Sequence, residues 1–360
     1  MRIVILKRTL GQKGGLEKHA HRIAQGFIDR GCDITFLTSD RPGSDFPYPY
    51  VSFPTPKWPL FWSLEKFDRS VRNFPTVDRI LGLERNRFQT HLRAGSGVHA
   101  AYLKMRSLSS PLSHLLRKIH PLHHKILELE KVGFENRGLQ KIFTNSHMVK
   151  AEILHYYKPT ASIEVIHNGV EWEEMIPGFS EWEKGYHPHS RFHFLFVGNG
   201  FFRKGLDILL RALALLKRRD FFLSIVGKEK KTDFFMRLVE KLNIQKNVRF
   251  FGPQKSLTSF YQWADALVIP SWYDPFANVT IEALAMGVFV ISSKHNGGHE
   301  ILTPQTGSIL SNLSDIDHIA DQLEKAMSVP KTPLSSNLIR NSVKHLDFSI
   351  QMTKLIDQCL

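Results

Sequence analysis

Short apolar strands alternate with amphipathic helices in both halves of this chain, and few folds accommodate that order. Near the start, Ile3–Leu6 is a predicted strand, residues 16–29 a predicted helix and residues 32–38 the next strand. The same succession begins again at Phe194–Val197 and continues to a last helix over 314–327, with Ser314 as its predicted N-cap. Strands separated by helices form parallel sheets. The sequence therefore predicts an α/β protein with two doubly wound, Rossmann-like domains, whose ligands lie at the carboxyl ends of the strands.

Changes in composition indicate where these domains begin and end. We predict an N-terminal domain over residues 1–170, an acidic linker over 171–191 that proline and glycine interrupt, and a C-terminal domain over 192–330. Residues 331–360 are a predicted helical tail that could pack back on the N-terminal domain. Within the first domain, residues 41–90 hold a cluster of prolines between Pro42 and Pro59, so we expect irregular structure there.

The composition excludes several classes of protein. The chain has 360 residues, of which 42% are hydrophobic and 23% charged, enough for two globular cores. Its first apolar run is too short for a signal peptide, and no run approaches the roughly 18 apolar residues of a membrane span. Two cysteines, Cys32 and Cys359, do not make a disulfide framework or a zinc site. These features predict a cytosolic protein.

The positive charge is concentrated in the first half. The net charge is +14, and residues 1–170 hold 26 Lys and Arg against 14 Asp and Glu, a net of +12. Residues 171–360 hold 22 against 20, a net of +2. A basic surface attracts nucleic acid, anionic lipid or an anionic substrate. The two halves are therefore expected to meet different partners.

Two glycine-containing loops follow predicted strands and precede predicted helices. The first is Gly11-Gln12-Lys13-Gly14-Gly15, which is neither the dinucleotide-binding pattern nor a P-loop. Asp40, near the end of the second strand, could still act as the ribose acid of a dinucleotide site. The second loop runs from Val197 to Gly205 and places Arg203 and Lys204 at a helix entry. Glycines let backbone amides approach a ligand, and cations at a helix N-terminus suit a diphosphate.

A third block, residues 271–287, joins a strand to a helix and contains two acids eight residues apart. Asp274 lies in the loop, and Glu282 lies about one turn into the helix among apolar neighbours. A carboxylate in apolar surroundings is costly unless it has a partner. Ligand hydroxyls would be suitable partners, although an exposed position on an amphipathic helix would also explain Glu282.

These motifs together resemble those of the retaining glycosyltransferases of family 4, which have the GT-B fold. The chain is similar to the members that build the lipopolysaccharide core, from the first strand to about residue 310. Four motifs occur in the family's order and spacing: the Gly14-Gly15 loop, Ile166-His167-Asn168-Gly169-Val170, Arg203-Lys204-Gly205, and the Asp274-Pro275-Phe276 block that ends in Glu282-Ala283. Each motif alone has little specificity, whereas their combination is specific.

The resemblance implies a role for each of these residues, with the second domain binding a nucleotide sugar. Gly14 and Gly15 would approach the donor, Arg203 and Lys204 would neutralise its diphosphate, and the backbone of Ala277, Asn278 and Val279 would hold phosphate at a helix N-terminus. Glu282 would bind ribose hydroxyls. Asp274 would face the donor sugar, at a position where most members have Glu.

Further residues of the first domain are candidates near the reacting carbon. The resemblance points to a polar residue in the segment 93–99, and His99 is our choice because an imidazole can donate to a sugar hydroxyl or hold charge. His19 is a lesser candidate. We expect no cofactor and no metal, because the acids of Asp315-Ile316-Asp317 lie in the first turn of a predicted helix, where the helix dipole explains them. Fixed cations and backbone dipoles would then stabilise the leaving nucleotide.

The basic stretch 99–135 suggests the partner on the acceptor side. It carries Lys and Arg at 104, 106, 117, 118, 125 and 131 and His at 114, 120, 123 and 124, with leucines and isoleucines between them. Such a surface can lie on anionic lipid. The resemblance implies a peripheral enzyme on the inner face of the cytoplasmic membrane. It would transfer a hexose, with retention, from a nucleotide sugar to a glycolipid or lipopolysaccharide core. UDP is the preferred nucleotide, with GDP or ADP possible.

Two other classes of function remain as alternatives. One is a dinucleotide-dependent oxidoreductase, and the other is a basic nucleic-acid-binding protein. No nucleic-acid-binding motif supports the second, so we expect no nucleic acid among the partners.

Overall fold

The computed structural model describes residues 1–10, 15–75, 77–109, 120–187 and 190–360, with only the backbone described for 15–18 and 108–109. The chain divides into two compact units. The first contains Met1–His167 together with Ile350–Leu360, and the second contains Asn168–Ser349.

The first unit is built on a seven-stranded parallel sheet. Its strands are β1 (Arg2–Leu6), β2 (Asp33–Thr38), β3 (Tyr50–Ser52), β4 (Arg79–Gly82), β5 (His91–Arg93), β6 (Lys141–Thr144) and β7 (Ser162–Val165). They lie in the order β3-β2-β1-β4-β5-β6-β7. The described helices of this part are α1 (Gly15–Ile28), α2 (Leu60–Arg72), α3 (His99–Ser109), α4 (Pro121–Phe134) and α5 (His147–Tyr156). The strand order reverses at β1 and β4, which is where doubly wound sheets bind ligands.

The second unit is built on a six-stranded parallel sheet in the order β10-β9-β8-β11-β12-β13. Its elements, in chain order, are α6 (Ile176–Lys184), β8 (Phe192–Val197), α7 (Leu206–Leu215), β9 (Phe221–Val226), α8 (Thr232–Lys241), β10 (Val248–Gly252), α9 (Thr258–Trp263), β11 (Ala266–Ile269), α10 (Asn278–Ala285), β12 (Phe289–Ser293), β13 (Gly307–Leu310), α11 (Ile316–Met327) and α12 (Pro333–Ser342). Short 3-10 helices cover Gly297–Ile301 and Lys344–Leu346.

Strand β8 shows why the central strands carry long apolar runs, here Phe194 to Val197. Phe194 and Phe196 belong to the hydrophobic cluster on one face of the sheet, with Leu209 of α7. Leu195 and Val197 belong to the cluster on the other face. Successive side chains of a strand point to opposite faces, so a strand that helices cover on both sides needs apolar residues at every position.

A last helix, α13 (Phe348–Cys359), extends into the first unit. Ile356 is buried, and its Cδ1 lies where a side chain on Gly26 of α1 would have to be. Arg30 and Asp357 form an ion pair at 2.7 Å. The chain therefore completes its N-terminal unit with its last residues.

Three expectations from the sequence differ from the structure. The proline-rich region 41–90 contains β3, α2 and β4. Its prolines lie before Leu60 or, in the case of Pro75, after Arg72, and Phe67 and Val71 between them are spaced to bury one helix face. The predicted linker contains α6, whose Phe179 packs into the core of the second unit. Helix α11 of the second unit, predicted over 314–327, has Asp315 rather than Ser314 as its N-cap. The reason is that the Asp315 carboxylate accepts from the His318 amide.

Over the part of the chain that the structure describes, no helix combines the length and the apolar character that crossing a bilayer requires.

Candidate functional site

Two loops of the second unit bring three charged side chains together at the carboxyl ends of β8 and β11. Arg203 and Lys204 come from the loop after β8, and Asp274 comes from the loop after β11. Asp274 Oδ2 lies 2.8 Å from Arg203 Nη1 and 2.8 Å from Lys204 Nζ. Lys204 and Asp274 are buried, whereas Arg203 is about a third exposed. Two of the sequence motifs thus form one cluster at the edge where such sheets bind ligands.

Glycines fix the path of the loop that carries the two cations. Gly205 has φ of +75° and precedes α7, and a side chain there would meet the Pro270 carbonyl oxygen at 2.0 Å. The stem of Lys204 passes against Gly198, where a Cβ would lie 3.0 Å from Lys204 Cε. Residues larger than glycine at either position would therefore displace the cations or the strand beside them.

Charge rather than exposure keeps Asp274 ionised. Burial alone would raise the pKa of this carboxyl, but the neighbouring charges of Lys204 and Arg203 outweigh it and lower the pKa below its usual value. The cluster therefore holds two cations and one anion at neutral pH, a net positive charge suited to a polyanionic ligand.

The start of α10 departs from the prediction at one residue. The Ala277 amide donates to Asn296 Oδ1 at 2.9 Å, so this amide is engaged within the protein and is not offered to phosphate. Asn278 and Val279 are the first helical residues, whose amides have no acceptor within a helix. The Asn278 side chain accepts from Asn168 Nδ2 at 2.8 Å, which joins the Ile166–Val170 motif to this helix end.

Asn296 organises the loop around Asp274, and the sequence prediction missed it. It is fully buried, and its Oδ1 also accepts from the Gly298 amide, while its Nδ2 donates to Thr280 and Ser292. The Asn-Gly pair at 296–297 is a turn signal after a strand. That signal predicts a turn, but it does not predict that the asparagine is buried and bonded to three neighbouring segments.

Glu282 has a protein partner that the sequence did not reveal. The Tyr261 hydroxyl of α9 donates to Glu282 Oε2 at 2.7 Å. Burial raises the pKa of Glu282, and the hydrogen bond from Tyr261 opposes that rise. The expectation that a carboxylate in this apolar helix needs a partner is therefore met by Tyr261 on one of its two oxygens.

The glycine loop of the first unit is described only in part. Gly14 lies outside the described residues, and Gly15 is the first residue of α1. The carboxylate of Asp40, the alternative ribose acid, accepts from the Leu10 amide at 2.6 Å. Asp40 thus binds the backbone just before this loop.

His99 is the first residue of α3 and belongs to a polar network of the first unit. Its amide donates to the buried Glu130 at 2.7 Å, and its Nε2 lies 3.0 Å from His123 Nδ1. Burial, together with the charges of Arg85 and His123, lowers the pKa of His99 to about 4. The imidazole is therefore neutral at neutral pH, so it can exchange hydrogen bonds but does not supply a fixed positive charge.

Glu130 is a second residue that was not predicted from the sequence. Besides the His99 amide, it accepts from Arg85 Nε at 2.6 Å and from the Tyr157 hydroxyl at 2.7 Å. A buried carboxylate with three donors fixes the start of α3, and with it the position of His99. His19, the lesser candidate, lies on α1, where burial and the charges of Arg93, Lys7 and Arg22 lower its pKa well below the usual value.

The remaining candidates have local explanations or lie partly outside the described residues. Asp315 caps α11, in agreement with the helix-dipole interpretation of the two neighbouring acids. In the basic stretch, Lys104, Arg106 and Lys131 are exposed, and Lys125 pairs with Glu65 at 3.0 Å. His114, Arg117 and Lys118 lie outside the described residues.

Comparison with known families accounts for nearly the whole chain. The model described as Glycosyltransferase Family 4 matches residues 13–174, and the model described as Glycosyl transferases group 1 matches residues 180–345. An uncharacterised glycosyltransferase of Methanocaldococcus jannaschii is 30% identical over 346 residues, 88% of this chain and 85% of that protein. The lipopolysaccharide glucosyltransferase WaaG of Escherichia coli K12 is 27% identical over 351 residues, 93% of this chain and 91% of that protein.

Solved structures share the fold along the same length. The crystal structure of WaaG, a glycosyltransferase involved in lipopolysaccharide biosynthesis, has a TM-score of 0.77 at 19% identity over 99% of both chains. Anabaena HepE in complex with UDP-glucose has a TM-score of 0.68 at 15% identity, over 99% of this chain and 98% of that one. The likeness shows two Rossmann-like units of the GT-B type, as the sequence predicted.

Proposed function

Because this chain belongs to the family 4, group 1 glycosyltransferases and is related to those of the lipopolysaccharide core, we propose that it transfers a hexose from a UDP-sugar to a glycolipid. The acceptor would be a lipopolysaccharide core or a similar lipid-linked saccharide at the inner face of the cytoplasmic membrane. The transfer would retain the anomeric configuration and would need no metal ion. Family membership as a glycosyltransferase supports this proposal over the oxidoreductase alternative.

The convergence of Arg203 and Lys204 on Asp274 carries this proposal. Two cations held 2.8 Å from one carboxylate oxygen, at the carboxyl ends of two strands, suit the two phosphates of a nucleoside diphosphate. The diphosphate would compete with Asp274 for these cations, and the released carboxylate would then be available to a hydroxyl of the donor sugar. The amides of Asn278 and Val279 would add helix N-terminal donors to phosphate.

Glu282 and the first unit would complete the donor contacts. Tyr261 occupies Glu282 Oε2, so the other carboxylate oxygen would accept from the ribose hydroxyls. Gly14 and Gly15 would let the backbone approach the donor. His99, neutral at neutral pH, would donate to a sugar hydroxyl. UDP is preferred because HepE, which shares this fold, is described in complex with UDP-glucose.

These residues would act mainly by stabilising the leaving group. The bond from the anomeric carbon to the diphosphate oxygen breaks, and its electron pair leaves with UDP, whose charge Arg203 and Lys204 offset. The acceptor oxygen bonds to the same face of the sugar, and its proton passes to the departing phosphate oxygen. Cations and dipoles already in position need no reorganisation as this charge develops.

The acceptor side of the proposal rests on charge. The exposed cations of the stretch 99–135 would attract the anionic lipids around a membrane-bound acceptor. The relation to WaaG, a lipopolysaccharide glucosyltransferase, favours a core saccharide as the acceptor.

The test is donor binding by the full-length chain and two cation variants, without added metal. A ligand that binds only the native state raises its melting temperature, and we expect a rise with UDP-glucose or another UDP-sugar but not with NAD. Arg203→Ala and Lys204→Ala should each weaken donor binding and slow transfer by about 10- to 100-fold, the effect of losing roughly 1.5 to 3 kcal/mol of charge-assisted hydrogen bonding.

Arg237→Ala is the matched control, because Arg237 is an exposed cation on α8 of the same unit. It should leave donor binding and transfer unchanged. Full donor affinity and turnover in both the Arg203 and Lys204 variants would refute the diphosphate assignment. A rise in melting temperature with GDP- or ADP-sugars alone would replace the proposed base.

A further inference from the structure

Two tryptophans stand exposed where α2 begins. Trp58, just before the helix, is 83% exposed, and Trp62, in its first turn, is 64% exposed. Leu60 between them is exposed as well. Large apolar side chains grouped on a surface mark sites of interaction, because leaving them in water is unfavourable.

The rest of α2 separates an inward face from a basic outward face. Phe67 and Val71 are buried in the core of the first unit. Lys66 and Arg69 follow Trp62 at helical spacing of four and seven residues, and both are exposed. The outward stripe therefore carries tryptophan at its start and positive charge along its length.

The acids of α2 do not oppose this positive charge. Glu65 accepts from Arg69 Nε at 2.6 Å, Arg87 Nη2 at 2.9 Å and Lys125 Nζ at 3.0 Å. The buried Asp68 pairs with Arg87 Nη1 at 2.9 Å. With these carboxylates bound by cations, Lys57, Lys66 and Arg72 give the exposed surface a positive charge.

The Lys125–Glu65 pair also joins α2 to α4, part of the basic stretch 99–135. The pair lies at the fifth residue of α4 and the sixth of α2, so the first turns of the two helices lie close to this contact. The tryptophans thus lie beside the stretch for which the proposed function already suggests contact with anionic lipid.

We propose that the start of α2, which we call the tryptophan element (residues 57–69), inserts Trp58 and Trp62 into the headgroup region of an anionic phospholipid bilayer. Tryptophan prefers that region because its ring is apolar and its indole N–H is polar. Lys57 and Lys66 contact lipid phosphates at the same depth, and Arg69 contributes while paired with Glu65. These would be the residues through which the proposed enzyme contacts the membrane, so this inference rests on the proposal that the enzyme acts at a membrane surface.

The experiment measures binding of the full-length chain to vesicles that contain no saccharide acceptor. Wild-type protein is floated with phosphatidylcholine vesicles, with and without a minor fraction of phosphatidylglycerol. We expect binding to the anionic vesicles, with an affinity that falls as salt screens the lysines. Trp58→Ser/Trp62→Ser should lower this affinity roughly tenfold or more, since each indole buries apolar area in the interface.

Trp263→Ser is the matched control, because Trp263 is a 57% exposed tryptophan of the second unit. It should float as the wild type does. Cooperative thermal unfolding without ligand serves as the folding control for each variant, and Trp58→Ser alone, at the most exposed site, replaces the double variant if that one fails to fold. Vesicle-borne quenchers should dim wild-type tryptophan fluorescence, and most of this dimming should disappear in the double variant.

The outcomes separate the inference from the proposed function. Equal flotation of wild type and double variant would overturn the inference, whatever the donor results. A double variant that floats normally but has a raised KM for a saccharide acceptor would also overturn the inference. The tryptophans would then contact the acceptor sugar rather than the bilayer. Loss of flotation in a chain that binds no nucleotide sugar would support the tryptophan element and contradict the enzyme assignment.

Discussion

Asp274 pairs with two cations through one carboxylate oxygen, which lies 2.8 Å from both Arg203 Nη1 and Lys204 Nζ. The lowered pKa of Asp274 makes the arrangement a source of stability above the unfolded pKa of about 3.9. That stability is lost as the pH falls through the still lower folded pKa, so we expect its loss only under strongly acidic conditions.

Tyr261→Phe tests whether the hydroxyl that holds Glu282 matters for the donor. The change leaves the ring in the core but removes the hydrogen bond to a buried carboxylate, at a cost of about 1–3 kcal/mol of stability. With Glu282 less firmly held, we expect the KM for the nucleotide sugar to rise about 3- to 30-fold with kcat nearly unchanged, measured by initial rates over donor concentration.

Tyr186→Phe is the control, because Tyr186 lies in the same unit and its ring packs on Trp182. It should change neither constant. A fall in kcat at constant KM in Tyr261→Phe would mean that Glu282 acts on the reacting sugar rather than on the ribose, and the assignment of Glu282 would have to be given up.

At the scale of single elements, Gly205 links a loop to the helix that follows it. Gly205→Ala places a methyl group against the Pro270 carbonyl oxygen and keeps a left-handed φ of +75°. The left-handed conformation alone costs about 1–2 kcal/mol, and the collision adds to it. We expect a loss of about 3 kcal/mol or more, seen as faster hydrogen exchange in β8 and α7.

Gly200 offers the matched comparison, since it has nearly the same φ, +73°, but no atom within 4 Å of an added Cβ. Gly200→Ala should cost only the conformational part, about 1–2 kcal/mol. Similar losses in the two variants would show that the contact with Pro270 does not restrict the loop.

The sequence could predict the elements whose signals are local. Strand β8 is apolar from Phe194 to Val197, and the loop before α7 carries glycine and two cations in succession, so both were predicted close to where they lie. Helix α2 was missed because the prolines before it dominated the pattern, although Phe67 and Val71 have helical spacing. A proline before the first turn is compatible with a helix, so the proline signal marked only the start of α2.

Residues that act across the fold could not be predicted in the same way. Asn296 reaches Ala277 and Thr280 from a separate loop, and Tyr261 reaches Glu282 from another helix. The residues next to Asn296 and Tyr261 in the sequence do not indicate whether these two side chains are exposed or buried. The parallel order of the strands, which brings distant loops to one edge of the sheet, is what makes them neighbours.

At the scale of the whole molecule, the chain leaves its first unit after His167 and returns to it at Ile350. The two crossing segments run side by side, since Val170 bonds through its backbone to Leu346 and Phe348. Gly169 lies against the Phe348 backbone, where a Cβ would come within 2.6 Å of its Cα. The first unit therefore includes residues that follow the second unit in the chain, and we expect the stability of its N-terminal strands to depend on them.

Ile356→Ala tests that dependence. Ile356 is 1% exposed and packs on α1 at Gly26, so the cavity left by the change should cost about 2–5 kcal/mol. Hydrogen exchange should accelerate in β1, β2 and α1, at the opposite end of the sequence, while β8, β9 and β11 keep their protection, because local stability follows the cooperative unit rather than the distance along the chain.

Ile350→Ala, at a 42% exposed position of the same helix, should leave both units protected as in the wild type. If Ile356→Ala instead loosened β8 and β9, the terminal helix would stabilise the second unit, and the division of the molecule at Ile350 would be wrong.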